Sequence, residues 1–324
     1  RLEAPPDALG ALPRVEPRTL GILVHSVLEQ IARDALDGPA EDLEAALQRD
    51  GARVEWPEPE TLDRLIRRCA ESAARGQGIS LPGFARILAL AARPRLALAR
   101  EHDWPRPGVA PMVLDAELTD AVSVRDAEGR MRRLVFRADR VDRSDLGLCF
   151  TDYKTGKPAA TQQSSNARER EYRRRVEAGV LLQAVAYAHA GGRHGPASGR
   201  YLYLSPEAAP ETRSFEVRSD DVEFAKAFEG AVRILLDGWD RGAFFPRLVD
   251  DRGVEPRRCT VCEVKLACVR GDSGARRRLE EWTRRPEADC GDAPAEAAMR
   301  ALWFLGKGPP AKGSPGKGSP GGES

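Results

Sequence analysis

No stretch of this 324-residue chain approaches the ~18 apolar residues of a membrane-spanning helix. No apolar core of the secretory type interrupts the opening RLEAPPDALGALPRVEP, so a cytoplasmic location is the expectation. No sign of charge dominates: 51 Lys and Arg meet 50 Asp and Glu, and a net charge of +1 says nothing by itself about nucleic acid. No methionine opens the chain, which begins at Arg1 and is therefore expected to be part of a longer protein. Cysteine is sparse, with six residues and none before Cys69. Without a secretory leader a disulfide framework is not expected, and because three of the six cluster, they point to metal instead.

What is present is ordinary globular material. Apolar residues make up 41% and charged residues 31%, enough for one large domain with appendages or two modest ones. Charge is local where it matters. REREYRRR (Arg168 to Arg175) and ARRRLEEWTRR (Ala275 to Arg285) are basic segments in a near-neutral chain, each readable as a solvated helix face or as a phosphate-binding surface. The tail GKGPPAKGSPGKGSPGGES is low in complexity and is expected to be disordered.

Periodicity gives the order of elements. Residues 1–18 are Pro-rich. Thr19 is a candidate N-cap for a helix over LGILVHSVLEQIARDAL. Helical spacing continues over Glu41–Arg49, Glu60–Ala74 and Leu81–Arg100, with Pro94 inside the last. From Pro111 the pattern alternates: MVLDAELTDAVSV, RRLVFRADRVDRS and LGLCFTDYK read as three consecutive antiparallel strands. A long helix over about Arg168–Ala190, strands GRYLYLS and TRSFEVR, and a helix over Asp220–Arg241 follow. The fold class is α/β: a mixed central sheet flanked by helices, with an N-terminal helical region and a C-terminal cysteine-bearing segment. The divisions are 1–110, helical; 111–245, core; 246–305, cysteine segment; and 306–324, tail.

The chemistry gathers in FRADRVDRSDLGLCFTDYKTGKP (Phe136 to Pro158). Asp139 and Asp152 stand in apolar surroundings, and Lys154 shares a strand face with Asp152. Two carboxylates can hold a hard divalent ion such as Mg2+ or Mn2+, which keeps waters for the rest of its shell. A lysine beside them can orient water and offset charge on phosphorus. The pattern fits metal-assisted phosphodiester hydrolysis; on spacing alone, Asp152 and Lys154 are equally a surface ion pair.

ADRVD followed by DYKTGKP resembles the second and third motifs of the PD-(D/E)XK nucleases, in the RecB-like branch. GILVHSVLE (Gly21 to Glu29) resembles that branch's first motif, and LLQAVAYAHA its later helical motif. The order of the four over Gly21 to Tyr187 is more specific than any one alone, and the nearest likeness is to the C-terminal nuclease domains of AddB/RexB-type helicase–nuclease subunits. The resemblance implies a restriction-endonuclease-like core and a metal held by His25, Asp139, Asp152 and the carbonyl of Tyr153. It also implies a catalytic set of Asp139, Asp152, Lys154, Gln183 and Tyr187. Of the acidic residues on the preceding strand, Asp115 and Glu117 share a face, and the resemblance favours Glu117. It further implies single-stranded DNA as the main partner, gripped by Arg168, Arg173, Arg174 and Arg175, together with a helicase domain or subunit, no membrane, and a role in double-strand-break repair. A non-catalytic DNA-binding module and a stand-alone nuclease of the CRISPR-adaptation kind are the alternatives.

CTVCEVKLAC places Cys259, Cys262 and Cys268 at C-x2-C-x5-C, one thiol short of the usual four. A zinc site would need Cys290 or a histidine. The resemblance implies a structural [4Fe–4S] cluster whose fourth cysteine precedes the first motif, and thus lies upstream of Arg1. The three sulfurs are then expected within a few ångströms of one another, with residues 1–18 passing close by.

Overall fold

The computed structural model describes residues 13–104, 111–249, 264–285 and 293–306, together with 256, 259 and 262. The Pro-rich start up to residue 12, Cys290 and the tail from 307 lie outside the described residues. The chain divides into two compact units, Arg1–Val124 with Met131–Glu229, and Arg125–Arg130 with Gly230–Ser324.

The first unit carries a six-stranded sheet in the order β1-β2-β3-β4-β5-β6: β1 Ala52–Arg53, β2 Met112–Arg125, β3 Met131–Ser144, β4 Gly147–Lys154, β5 Ala197–Tyr203 and β6 Ser214–Arg218. β3 and β4 pair antiparallel, with Arg140 opposite Thr151. β4 and β5 run parallel, with Asp152 opposite Tyr201. The crossover between them is helical, as a parallel pair requires. The sheet is mixed, as the alternating segments predict, and the added edge strand β1 is too short for periodicity to reveal.

Helix α1 (Pro17–Arg33) starts two residues before Thr19, with Pro17 in its first turn. Proline suits that position because its missing N–H would be unpaired there anyway; Thr19 is buried inside the helix rather than capping it. α2 (Leu43–Leu47) is capped by Asp42, which accepts from the amide of Ala45. α3 (Pro59–Gly76) and α4 (Pro82–Asp103) follow, and α4 runs unbroken through Pro94. These helices bury Leu23, Val24, Val27, Ile66, Leu88 and Leu96 in one core with Val113, Ala116, Tyr153 and Leu202 of the sheet. The helical start and the sheet therefore share one interior.

The long helix expected over Arg168–Ala190 is two: α5 (Ser165–Glu177) and α6 (Gln183–Gly192). Gly179 stops α5 with a left-handed φ of 68°, while its amide and that of Val180 bond back to Val176 and Arg175. The break lets α6 lie flat on the sheet. A Cβ at Gly199 of β5 would stand 1.9 Å from the carbonyl oxygen of Ala184, so only glycine permits this contact. α6 thereby places Gln183 and Tyr187 over β4. α7 (Val222–Asp240) follows β6, and α8 (Ser273–Arg284) and α9 (Pro294–Phe304) belong to the second unit. No helix among the described residues is long and apolar enough to cross a membrane.

Candidate metal centre

Strand β3 does not keep a constant pleat. Phe136, Ala138 and Val141 all join one core cluster with Phe150 and Tyr187. Strict alternation would put Val141 on the opposite face from the other two, so the faces switch between 138 and 141. The switch sits at Asp139 and Arg140. On β2, Glu117 takes a left-handed φ of 55°. A bulky non-glycine residue there costs about 1–3 kcal/mol, and such strain gathers at functional sites. Both irregularities aim carboxylates at α1.

There, ligand-capable atoms of His25, Glu117 and Asp139 all lie within 4.8 Å of one another. His25 Nδ1 is 3.3 Å from Asp139 Oδ1, and His25 Nε2 donates to the carbonyl oxygen of Tyr153 at 2.8 Å. The amide of Tyr153 donates to Asp139 Oδ2 at 2.6 Å. Of the candidates on β2, Asp115 is committed elsewhere: it accepts from the amides of Ala40 and Ala116, a structural role.

Asp152 stands beside this group without joining it. Its Oδ2 lies 2.6 Å from Lys154 Nζ, which also donates to Gln183 Oε1 at 2.9 Å. Tyr187, one turn further along α6, donates to the carbonyl of Arg137 at 2.7 Å and so fixes β3. The lysine, both aspartates, the histidine and the two α6 residues thus gather in one region.

The donor set suits a hard cation. Glu117 Oε2 and Asp152 Oδ2 are buried, and a single cation faces each: Arg137 Nε at 2.7 Å and Lys154 Nζ at 2.6 Å. Burial, reinforced by the charge of Asp139, raises the carboxyl of Glu117. Burial also pushes Asp152 up to about 6, against the pull of Lys154. Burial works to lower His25, but its hydrogen bond to Asp139 and the charges of Asp139 and Asp152 outweigh this and raise it. Buried carboxylates gathered at one place are what a divalent cation neutralises.

The arginines of the basic helix are engaged within the protein. Arg168 donates to the carbonyls of Gln162 and Gln163. Arg174 and Arg175 both bond Glu171, and Arg173 lies 3.9 Å from Glu177 and 3.7 Å from Glu223. All four arginines have protein partners. In the second unit, Cys259, Cys262 and Cys268 are half-buried. Cys290, the further cysteine that a zinc site could use, lies outside the described residues. The expected approach of residues 1–18 falls largely outside the described residues.

Sequence reasoning misses one cluster. Asp103, at the end of α4, receives the hydroxyl of Tyr153 at 2.7 Å, Arg200 Nη2 at 2.7 Å and Arg140 Nη2 at 3.0 Å. Arg140 also bonds Asp142, and Arg200 bonds Thr151 Oγ1. The only local signal was Arg200, the one charged residue of β5; Arg140 is one of several charged residues in β3.

A mixed sheet with a helix-borne histidine, acidic residues on adjoining strands and Asp-x-Lys at a strand end defines a metal-dependent nuclease class. Residues 2–269 match the family described as the PD-(D/E)XK nuclease superfamily, and the chain belongs to it. A search of the curated proteins found no match. Among solved structures the chain is similar to one titled "Crystal structure of SSO0001", at 14% identity over 76% of this chain and 95% of that one, with a TM-score of 0.26.

Proposed function

We propose that this chain is the nuclease domain of a helicase–nuclease and cleaves single-stranded DNA during double-strand-break processing, with Mg2+ or Mn2+ as its cofactor. The observation that carries the cleavage reading is the gathering of His25, Glu117 and Asp139 within 4.8 Å, beside the Asp152–Lys154 pair. The AddB-type context rests on the four ordered motifs.

His25, Glu117, Asp139, Asp152 and the carbonyl of Tyr153 would hold the ion. When bound, it supplies Lewis acidity toward a phosphoryl oxygen. His25 must give up its proton to act as a ligand. Lys154, steadied by Asp152 and Gln183, presents an ammonium that positions water and offsets negative charge on phosphorus. Gln183 and Tyr187 hold Lys154 and β3 in place.

The test is cleavage of a labelled single strand by the purified chain. Mg2+ supports it, excess chelator stops it, and Lys154→Ala or Asp152→Ala lowers it at least a hundredfold without unfolding the chain. Undiminished cleavage in chelator contradicts the metal mechanism. Full activity in folded Lys154→Ala contradicts the role of that lysine.

The cysteine segment is proposed to supply three ligands of a [4Fe–4S] cluster, the fourth coming from upstream of Arg1. It would clip distant parts of the chain together and so restrain the unfolded state. A chain extended upstream and purified without oxygen would be brown and carry iron. Stoichiometric zinc without iron would overturn the cluster.

A further inference from the structure

Tyr153 uses three polar atoms in two places. Its amide and carbonyl bond Asp139 and His25 in the candidate metal centre. Its side chain points to the other face of the sheet, where the hydroxyl donates to Asp103 at 2.7 Å. Asp103 is in turn gripped by Arg140 of β3 and Arg200 of β5, the two neighbours of β4. The ring is 2% exposed, with the Arg140 guanidinium 5.9 Å from its centroid.

An ordinary core tyrosine would need none of this. Burying two arginines and two aspartates where apolar side chains would fit is often neutral or worse for stability. The cluster does have a geometric consequence. A tyrosine side chain turns about only two bonds, so a ring fixed at its tip and sides fixes its own Cα. The directions of its N–H and C=O follow.

We propose that Tyr153 is a positioning residue. Through its hydroxyl and Asp103, the buried ion cluster sets the peptide groups that orient Asp139 and supply a carbonyl ligand, so the affinity of the metal centre is tuned from the far face of the sheet. The proposal rests on the metal-centre reading above. Outer partners that orient metal ligands typically change affinity 10- to 100-fold when removed.

The probe is Mn2+ alone, titrated calorimetrically into the full chain, Tyr153→Phe and Thr151→Val. Tyr153→Phe keeps the ring and loses only the hydroxyl. Thr151→Val disturbs the same cluster by removing the hydroxyl that accepts from Arg200, without touching Tyr153. The expected result is Mn2+ binding by the parent, roughly tenfold or greater weakening in Tyr153→Phe with unchanged circular dichroism, and parent-like affinity in Thr151→Val even where its melting temperature falls. Affinity within twofold of the parent in Tyr153→Phe overturns the positioning role. Equal weakening in both variants also overturns it, because general loosening of the cluster would then explain the effect. A parent that binds no Mn2+ overturns the metal-centre reading, and the proposal with it.

Discussion

At the scale of single residues, Asp103 shows how a buried charge is held. Burial alone would raise its carboxyl, but the Arg140 and Arg200 guanidiniums outweigh it and hold it below the usual range. A carboxyl lowered by folding adds stability that is fully present above its unfolded pKa near ~3.9 and is lost as pH falls through the lower folded value. Asp103→Asn leaves Arg200 without its carboxylate partner and Arg140 with Asp142 alone, at a cost of about 3–5 kcal/mol near neutral pH. That gap in stability between wild type and variant holds steady down to about pH 4 and narrows below it. Urea midpoints of both proteins across this range check it, and a gap of constant size down to about pH 3 contradicts the account.

At the scale of elements, the arginines of α5 read either as a phosphate-binding row or as a solvated face, and Glu171 pairs with both Arg174 and Arg175. If this helix grips the DNA backbone, Glu171 competes with phosphate. Glu171→Gln then tightens single-strand binding and steepens its salt dependence, by a slope of roughly 0.7 for each further phosphate neutralised. Fluorescence anisotropy across a salt series measures this, and an unchanged slope marks α5 as a solvated face. The strands were more legible than the helices' ends. Turns mark the limits of β2, β3 and β4, and β3 alternates over its first half, although Val113–Ala116 of β2 and Phe150–Tyr153 of β4 are buried on both faces. The same counting could not find the switch of faces at Asp139, since it assumes an unbroken pleat. Nor could it separate Asp115 from Glu117, because neither the left-handed φ of Glu117 nor the amides that engage Asp115 leave a mark in the pattern. The split between α5 and α6 hung on Gly179, which a helical period tolerates on paper.

At the scale of the whole molecule, the site is a product of long-range assembly. His25 comes from α1, Glu117 from β2, Asp139 from β3, the Asp152–Lys154 pair from β4, and Gln183 from α6. Four ordered motifs revealed most of these residues. The Asp103 cluster stayed hidden because it joins positions 103, 140, 153 and 200, which no local pattern links. The second unit holds a rival acidic group, Asp126, Glu128 and Asp240, with ligand-capable atoms equally close. There, however, Arg130 already pairs with all three. Anomalous diffraction from crystals soaked in Mn2+ separates the two directly. The account predicts a manganese peak within coordination distance of Glu117 and Asp139, and none at Asp126. A peak at the Asp126 group with none beside Asp139 would contradict the account.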